Sequence, residues 1–167
     1  MMSRIRMADL ITPERIVPTL NAVDKHQVIH KLSCLAAAHT GSDEAAVRRA
    51  VLSREDLTTF GLGRGIAIPH AILGSICKPF GAFARLNRPI DFGAADGRPA
   101  DLILLLLAPE TDAGILLPAL SCAARRLRDR EVAKRLRAET SAEAAHLILT
   151  TDSWRGHDPH PERKRAA

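Results

Sequence analysis

Apolar and polar positions along this chain repeat with two different periods, one helical and one strand-like. Behind Asp24, the apolar residues Val28, Leu32, Leu35 and Ala36 recur at three- and four-residue spacing. That spacing predicts a helix with one buried face, and Asp24 with Gln27 makes a capping-box-like pair at its start. Ser42 stands where it can cap a second helix whose inner face is Val47, Ala50 and Val51. The period then shortens. IAI at 66–68 reads as a short strand, and Phe80 to Leu86 alternates as a longer one. Asp96–Gly97 is a turn signal, and Leu102 to Leu107 is apolar at every position. A run apolar on both faces suits a central strand covered by helices. Leu116, Leu120, Ala123 and Leu127 return to a helical stripe. Asp129 can cap a short helix containing Val132 and Leu136, and Thr140 with Glu143 makes a capping box before Leu147 and Ile148.

Helices and strands interleave, while the short Asp96–Gly97 turn implies antiparallel neighbours. The expected architecture is a single-domain α/β sandwich with a mixed sheet flanked by helices. A chain of 167 residues is long enough for one core. Residues 1–6 read as an N-terminal extension, 7–150 as the folded domain, and 151–167, polar and interrupted by prolines, as a disordered tail. There is no internal repeat.

Composition narrows the function classes. Apolar residues make up 46% and charged ones 26%, an ordinary globular balance. The longest apolar stretch, LILLLLA at 102–108, is far too short to span a membrane, so no membrane association is expected. With no apolar core of a signal peptide at the start, a cytoplasmic protein is expected. Cys34, Cys77 and Cys122 are widely spaced and odd in number, and read as buried thiols in a reducing compartment. The net charge of +5 hints at nucleic acid, but its placement argues against it. Arg4 and Arg6 supply +2, residues 151–167 another +1, and only +2 remains for the 144 residues between. Aromatics are 3%, with no tyrosine, so bases find no stacking platform and no nucleic-acid partner is expected.

The candidate chemistry sits in GLGRGIAIPHA, residues 61–71. Gly61, Gly63 and Gly65 precede a strand instead of following one and opening a helix, so they are not a dinucleotide fingerprint. No Lys-Ser/Thr pair follows to make a nucleotide P-loop. Closely spaced glycines can bring backbone N–H groups near an anion. Pro69 fixes the backbone just before His70. A neutral imidazole beside such a loop is suited to accept a phosphoryl group. A lone histidine serves equally well to close a strand with a hydrogen bond, and the residues alone leave that alternative open.

SREDLTTFGLGRGIAIPHA, residues 53–71, resembles the phosphorylation-site signature of enzyme IIA domains of the mannitol/fructose class in the bacterial sugar phosphotransferase system, with the nitrogen-related enzyme IIA proteins as the nearest match. The resemblance continues in MADLITPERI at 7–16, FARLNRPIDFGAADGRPADLILLLLAPE at 83–110 and RRLRDREVAKRLR at 125–137. It implies that His70 accepts a phosphoryl group through Nε2 from a histidine-phosphorylated carrier protein. It implies a regulatory phosphocarrier acting on target proteins, with no cofactor and no metal. Arg54 matches the family's active-site arginine, and its charge would steady the group in transfer. Thr59 falls where the family carries a hydroxyl donor, and Gly61, Gly63 and Gly65 would complete the phosphate cradle. Arg54 reads otherwise as a helix-end cation, and Thr59 as a plain loop residue.

The chain departs from the family pattern at the site itself. Leu116 aligns where many relatives carry a second histidine, Phe60 stands where they have threonine, and Ala71–Ile72 replaces Gly-Lys. Each change makes the pocket less polar. A phosphotransfer-deficient paralogue, binding a protein through an apolar rim of Phe60, Ile72 and Leu116, is therefore the alternative expectation. His26 and His30 are spaced i, i+4, but no glutamate completes an HExxH motif, so they read as surface positions. His39 lies on the same helix; His157 and His160 fall in the tail.

Overall fold

A computed structural model describes residues 4–151, so the tail expected over 151–167 lies, beyond Thr151, outside the described residues. In chain order the elements are α1 (Met7–Leu10), a 3-10 turn (Pro13–Arg15), β1 (Ile16–Leu20), α2 (Lys25–Thr40), α3 (Glu44–Glu55), β2 (Gly61–Gly63), β3 (Ile66–Ala67) and β4 (His70–Leu73). They continue with β5 (Phe80–Ile90), β6 (Ala100–Pro109), a second 3-10 segment (Glu110–Ile115), α4 (Leu116–Arg128), α5 (Arg130–Ala138) and α6 (Ala142–Thr150).

β6 organises the molecule. On one edge it pairs antiparallel with β5, from Phe80↔Leu107 to Ile90↔Ala100. β5 in turn pairs parallel with β1. Along its other edge β6 carries two short parallel strands in succession, β3 beside Leu102–Ile103 and β4 beside Leu106–Pro109. β2 folds back antiparallel on β3. The sheet is mixed and open, with order β1-β5-β6-β3-β2 and β4 attached to β6.

The two-sided apolar run has a direct structural cause. Leu102, Leu104 and Leu106 pack into the layer of α1, α4, α5 and α6, whereas Ile103, Leu105 and Leu107 pack into that of α2 and α3. A strand buried on both faces has no polar side to show.

The caps shift by one residue in two places. Asp24 caps α2 as expected, accepting from the Gln27 N–H at 2.8 Å, while Gln27 Oε1 accepts from Val23 N–H. The second helix is capped by Asp43, not Ser42, because the Ser42 hydroxyl is engaged with Thr40 and Ser75. Ser141, not Thr140, caps α6, accepting from the Ala144 N–H at 3.2 Å. Leu147 then points outward at 62% exposure, and Ile148 with Leu149 takes the inner face.

The cysteine expectation fails. Cys34 and Cys77 are exposed and Cys122 is half-buried. Cys34 sits on the outer side of α2, opposite the Val28–Leu32–Ala36 face, and Cys77 lies in the connection leading to β5.

Candidate functional site

His70 opens β4, the short strand on the free edge of β6. The break between β3 and β4 falls at Ile68–Pro69, where the missing proline N–H takes nothing from the ladder. The Pro69 carbonyl still accepts from Leu106 N–H at 2.9 Å, which anchors the residue before the histidine to the central strand. The imidazole turns back over its own approach. Its Nδ1 lies 2.8 Å from the Ile68 carbonyl, which can only accept, so Nδ1 carries the proton. Phe60 packs edge-on against the ring, with centroids 5.2 Å apart and planes at 65°.

The residue is 8% exposed, yet Nε2 is not among the buried nitrogen and oxygen atoms without a partner. Nε2 has no hydrogen-bond partner among the described residues, so the nitrogen left with a lone pair still meets solvent. Burial pushes the imidazole below its ordinary value, the Ile68 carbonyl opposes the shift, and the Arg54 charge adds to it. At neutral pH the ring is an uncharged base with one nitrogen fixed and the other available as a nucleophile.

Arg54 lies in the last turn of α3, half-buried, where its charge reaches the imidazole and also complements the helix dipole. The two roles proposed for it are compatible. Thr59 is exposed and its hydroxyl makes no hydrogen bond among the described residues; its methyl lies toward Gly93.

The glycines are placed differently from the cradle expected of them. Gly61 faces Ala94 so closely that a Cβ would come within 2.8 Å of the Ala94 nitrogen. Gly63 has φ +85° and lies against Asp96. Gly65, at φ +78°, lies under the Arg137 guanidinium, and a Cβ there would meet Nη2 at 2.6 Å. The Gly65 carbonyl accepts from Asp101 and Leu102 N–H, five and four residues before the Leu106 level of His70. At about 3.3 Å per residue that separation is about 13–16 Å. The structure brings His70, Phe60 and Arg54 together and leaves Gly63 and Gly65 at the other end of the strand.

Leu116 is the first residue of α4 and is buried in the core, against which Ile72 packs. Phe60 and Leu116, at 2% and 5% exposure, cannot form the contact rim expected of them. The exposed large apolar side chains among the described residues are instead Val23, Leu57, Leu117 and Leu147; of these, Leu57 lies in the turn after α3 and Leu117 in the first turn of α4. The Ile68 carbonyl, which sets the tautomer, carries no side-chain signal and was not legible; its only trace is its position two residues before His70.

His30 has a carboxylate partner after all, supplied by α3. Its Nδ1 lies 2.9 Å from Glu44, and Nε2 lies 3.9 Å from Cys34 Sγ. The three ligand atoms lie within 4.8 Å of one another. Arg48 also approaches the same Nδ1 at 3.2 Å and Glu44 at 3.6 Å. The two ring nitrogens face different partners and a cation already occupies the carboxylate, so the cluster acts as a tie between α2 and α3.

Comparison with known proteins bears on the family and the fold. The family model described as phosphoenolpyruvate-dependent sugar phosphotransferase system, EIIA 2, matches residues 9–151. A nitrogen regulatory protein of Bradyrhizobium diazoefficiens is 48% identical over 143 residues, covering 86% of this chain and 94% of that protein. The crystal structure of nitrogen regulatory protein IIA-Ntr from Neisseria meningitidis superposes with a TM-score of 0.80 at 32% identity, covering 86% of this chain and 98% of the other. The crystal structure of IIA mannitol from Escherichia coli, at 24% identity and a TM-score of 0.68, shares the fold over 84% of this chain and 99% of that one.

Proposed function

This chain belongs to the EIIA type-2 family of the phosphoenolpyruvate-dependent sugar phosphotransferase system, and from that premise we propose that it is a regulatory phosphocarrier whose acceptor is His70. The observation that carries the reading is the imidazole held at one nitrogen and open at the other. With Nδ1–H given to the Ile68 carbonyl, the lone pair of Nε2 attacks the phosphorus carried by a histidine of the donor protein. The new N–P bond forms as the donor's N–P bond breaks, and its electron pair returns to the donor imidazole. No proton has to leave His70 before attack. Charge on the transferred oxygens is met by Arg54 and by the Thr59 hydroxyl, which has no competing partner among the described residues. Neither a metal nor a cofactor takes part in this scheme.

Phosphorylation places a charge of about −2 beside Arg54 and the exposed Leu57, so the surface read by a target protein changes with the state of His70. Docking of the donor would use Leu57 and Leu117. No helix among the described residues is long and apolar enough to cross a membrane; a cytoplasmic location is part of the proposal. The folded unit proposed is residues 7–150, with short segments on either side.

A second reading is favoured by one observation. The α4 position where the family resemblance expects a histidine holds the buried Leu116, and the ring packed on His70 is Phe60, so no second imidazole from that position orients the phosphoryl group. In that case the protein binds its partners without turning phosphate over. Incubation with phosphoenolpyruvate, enzyme I and the carrier protein separates the two. A gain of one phosphoryl group, absent in His70→Ala, is expected. No gain, with partner binding retained, establishes the second reading.

A further inference from the structure

At the opposite end of β6 from His70, a cleft of about 320 Å³ is walled by six cations: Arg64, Arg98, Arg128, Arg130, Lys134 and Arg137. They come from four separate segments: the β2–β3 turn, the β5–β6 connection, the end of α4 and the length of α5. Ile66, Leu127 and Ala133, all buried, form its floor. Arg137 is structural. It makes a two-pronged bond to Asp101, with Nε–Oδ2 at 2.9 Å and Nη2–Oδ1 at 3.0 Å, and also donates to the Arg64 carbonyl. The other five make no ion pair with a carboxylate among the described residues.

The neighbouring carboxylates hold backbone N–H groups or pair outside the cleft, although the Arg98 charge also acts on Asp96. Asp96 accepts from the backbone N–H groups of Arg64 and Arg98. Asp129 caps α5 through the N–H groups of Glu131 and Val132, and Glu131 pairs with Arg135. Arg64 is also the one described non-glycine residue with a left-handed backbone, at φ +57°. That turn is held from both sides, by Asp96 at its N–H and by Arg137 at its carbonyl. The chain thus accepts an unfavourable conformation at a position that places a guanidinium on the cleft.

We propose that this cleft is a binding site for a small molecule carrying two or more linked phosphate groups, separate from the phosphoryl-acceptor site. Gathering like charges around a concave surface raises the local positive potential. Guanidinium groups match phosphate oxygens two at a time, and five of the six cations are arginines. The cleft is at the lower end of small-ligand pocket volumes, which suits a compact polyanion. The proposal does not depend on phosphotransfer at His70, and its test leaves that residue untouched.

The probe is inorganic tripolyphosphate, titrated calorimetrically into the full chain at about 0.15 M salt, where the screening length is about 8 Å. Saturable binding is expected, with orthophosphate at equal ionic strength binding much more weakly. Arg64→Gly with Arg130→Gln removes two cleft cations and leaves the turn a residue that tolerates its backbone; affinity is expected to fall about tenfold or more. Arg49→Gln with Arg88→Gln removes the same charge at exposed positions outside the cleft and is expected to have little effect. Lys134→Gln, at an exposed helix position, repeats the test without touching the turn. Three results would overturn the proposal: no saturable binding, equal losses in both double variants, or an acidic decapeptide that binds more tightly than tripolyphosphate.

Discussion

Beside Leu106, strand β6 is flanked by a buried imidazole, an aromatic ring and one cation; beside Leu102, by a bidentate ion pair and five further cations facing solvent. The first environment withdraws a single group from water to control which nitrogen is protonated. The second leaves its charges wet and crowded. The same strand, apolar from Leu102 to Ala108, supports both because the chemistry comes mainly from side chains on the flanking strands, turns and helices, with Asp101 the one contribution of β6. On the proposals above, reactivity would come from removing choices from one ring, whereas anion affinity would come from accumulating many replaceable charges. Changes at the two ends should therefore differ in kind as well as in size.

The sharpest break would come from His70→Ala, which is expected to abolish carrier-dependent phosphorylation measured by intact mass while leaving tripolyphosphate binding unchanged. Arg54→Gln is expected to slow phosphorylation by about 10²-fold, the usual effect of losing one transition-state donor, without unfolding the protein. At the other end, Gly65→Ala puts a methyl group 2.6 Å from Arg137 Nη2 at a positive φ. A loss of about 2 kcal/mol in urea unfolding is expected, with the intrinsic phosphorylation chemistry retained.

The pH dependence sharpens the contrast further. The folded-state value of His70 is lowered from 6.5, so the unfolded chain binds a proton more readily than the native one. The stability associated with neutral His70 is complete above pH 6.5 and is lost as pH falls from there toward the lowered native value. His70→Ala should flatten that slope. The acid limb of phosphorylation should lie below pH 6.5, and a midpoint above it would contradict the burial seen here. The smallest effect expected is for Leu57→Ser, at 79% exposure: stability unchanged within about 0.5 kcal/mol, but a several-fold higher KM for the phosphorylated carrier.

Legibility in the sequence followed the range of the interactions. The Leu102–Leu107 run and the Asp96–Gly97 turn are local signals, and both elements stand where the pattern placed them. Caps shifted by one residue where a competing hydroxyl partner, Ser75 for Ser42, came from far along the chain. β1 left no clear strand pattern because it contains Pro18, which it tolerates on the sheet edge beside an irregularity between Val17 and Leu20. At the proposed site, the family resemblance singled out His70 and Arg54, and the structure sets the Arg54 charge against that ring. The glycines were visible but their reasons were not: Ala94, Asp96 and Arg137 lie tens of residues away. The basic cleft was hidden for the same cause, since its cations are spread from 64 to 137 within residues 7–150, whose net charge is only +2.

Pro69 has an effect beyond aiming a ring. Without the interruption at Ile68–Pro69, residues 66–73 would form one uninterrupted ribbon along the outer margin of β6. Its upper half, uncovered by β2, would present a row of vacant amide and carbonyl groups to any stray polypeptide in extended form. Divided in two, with β2 shielding the lower piece and only four residues in the upper, that margin offers a poor template. The kink that orients the His70 ring also discourages fibrillar recruitment of stray extended chains.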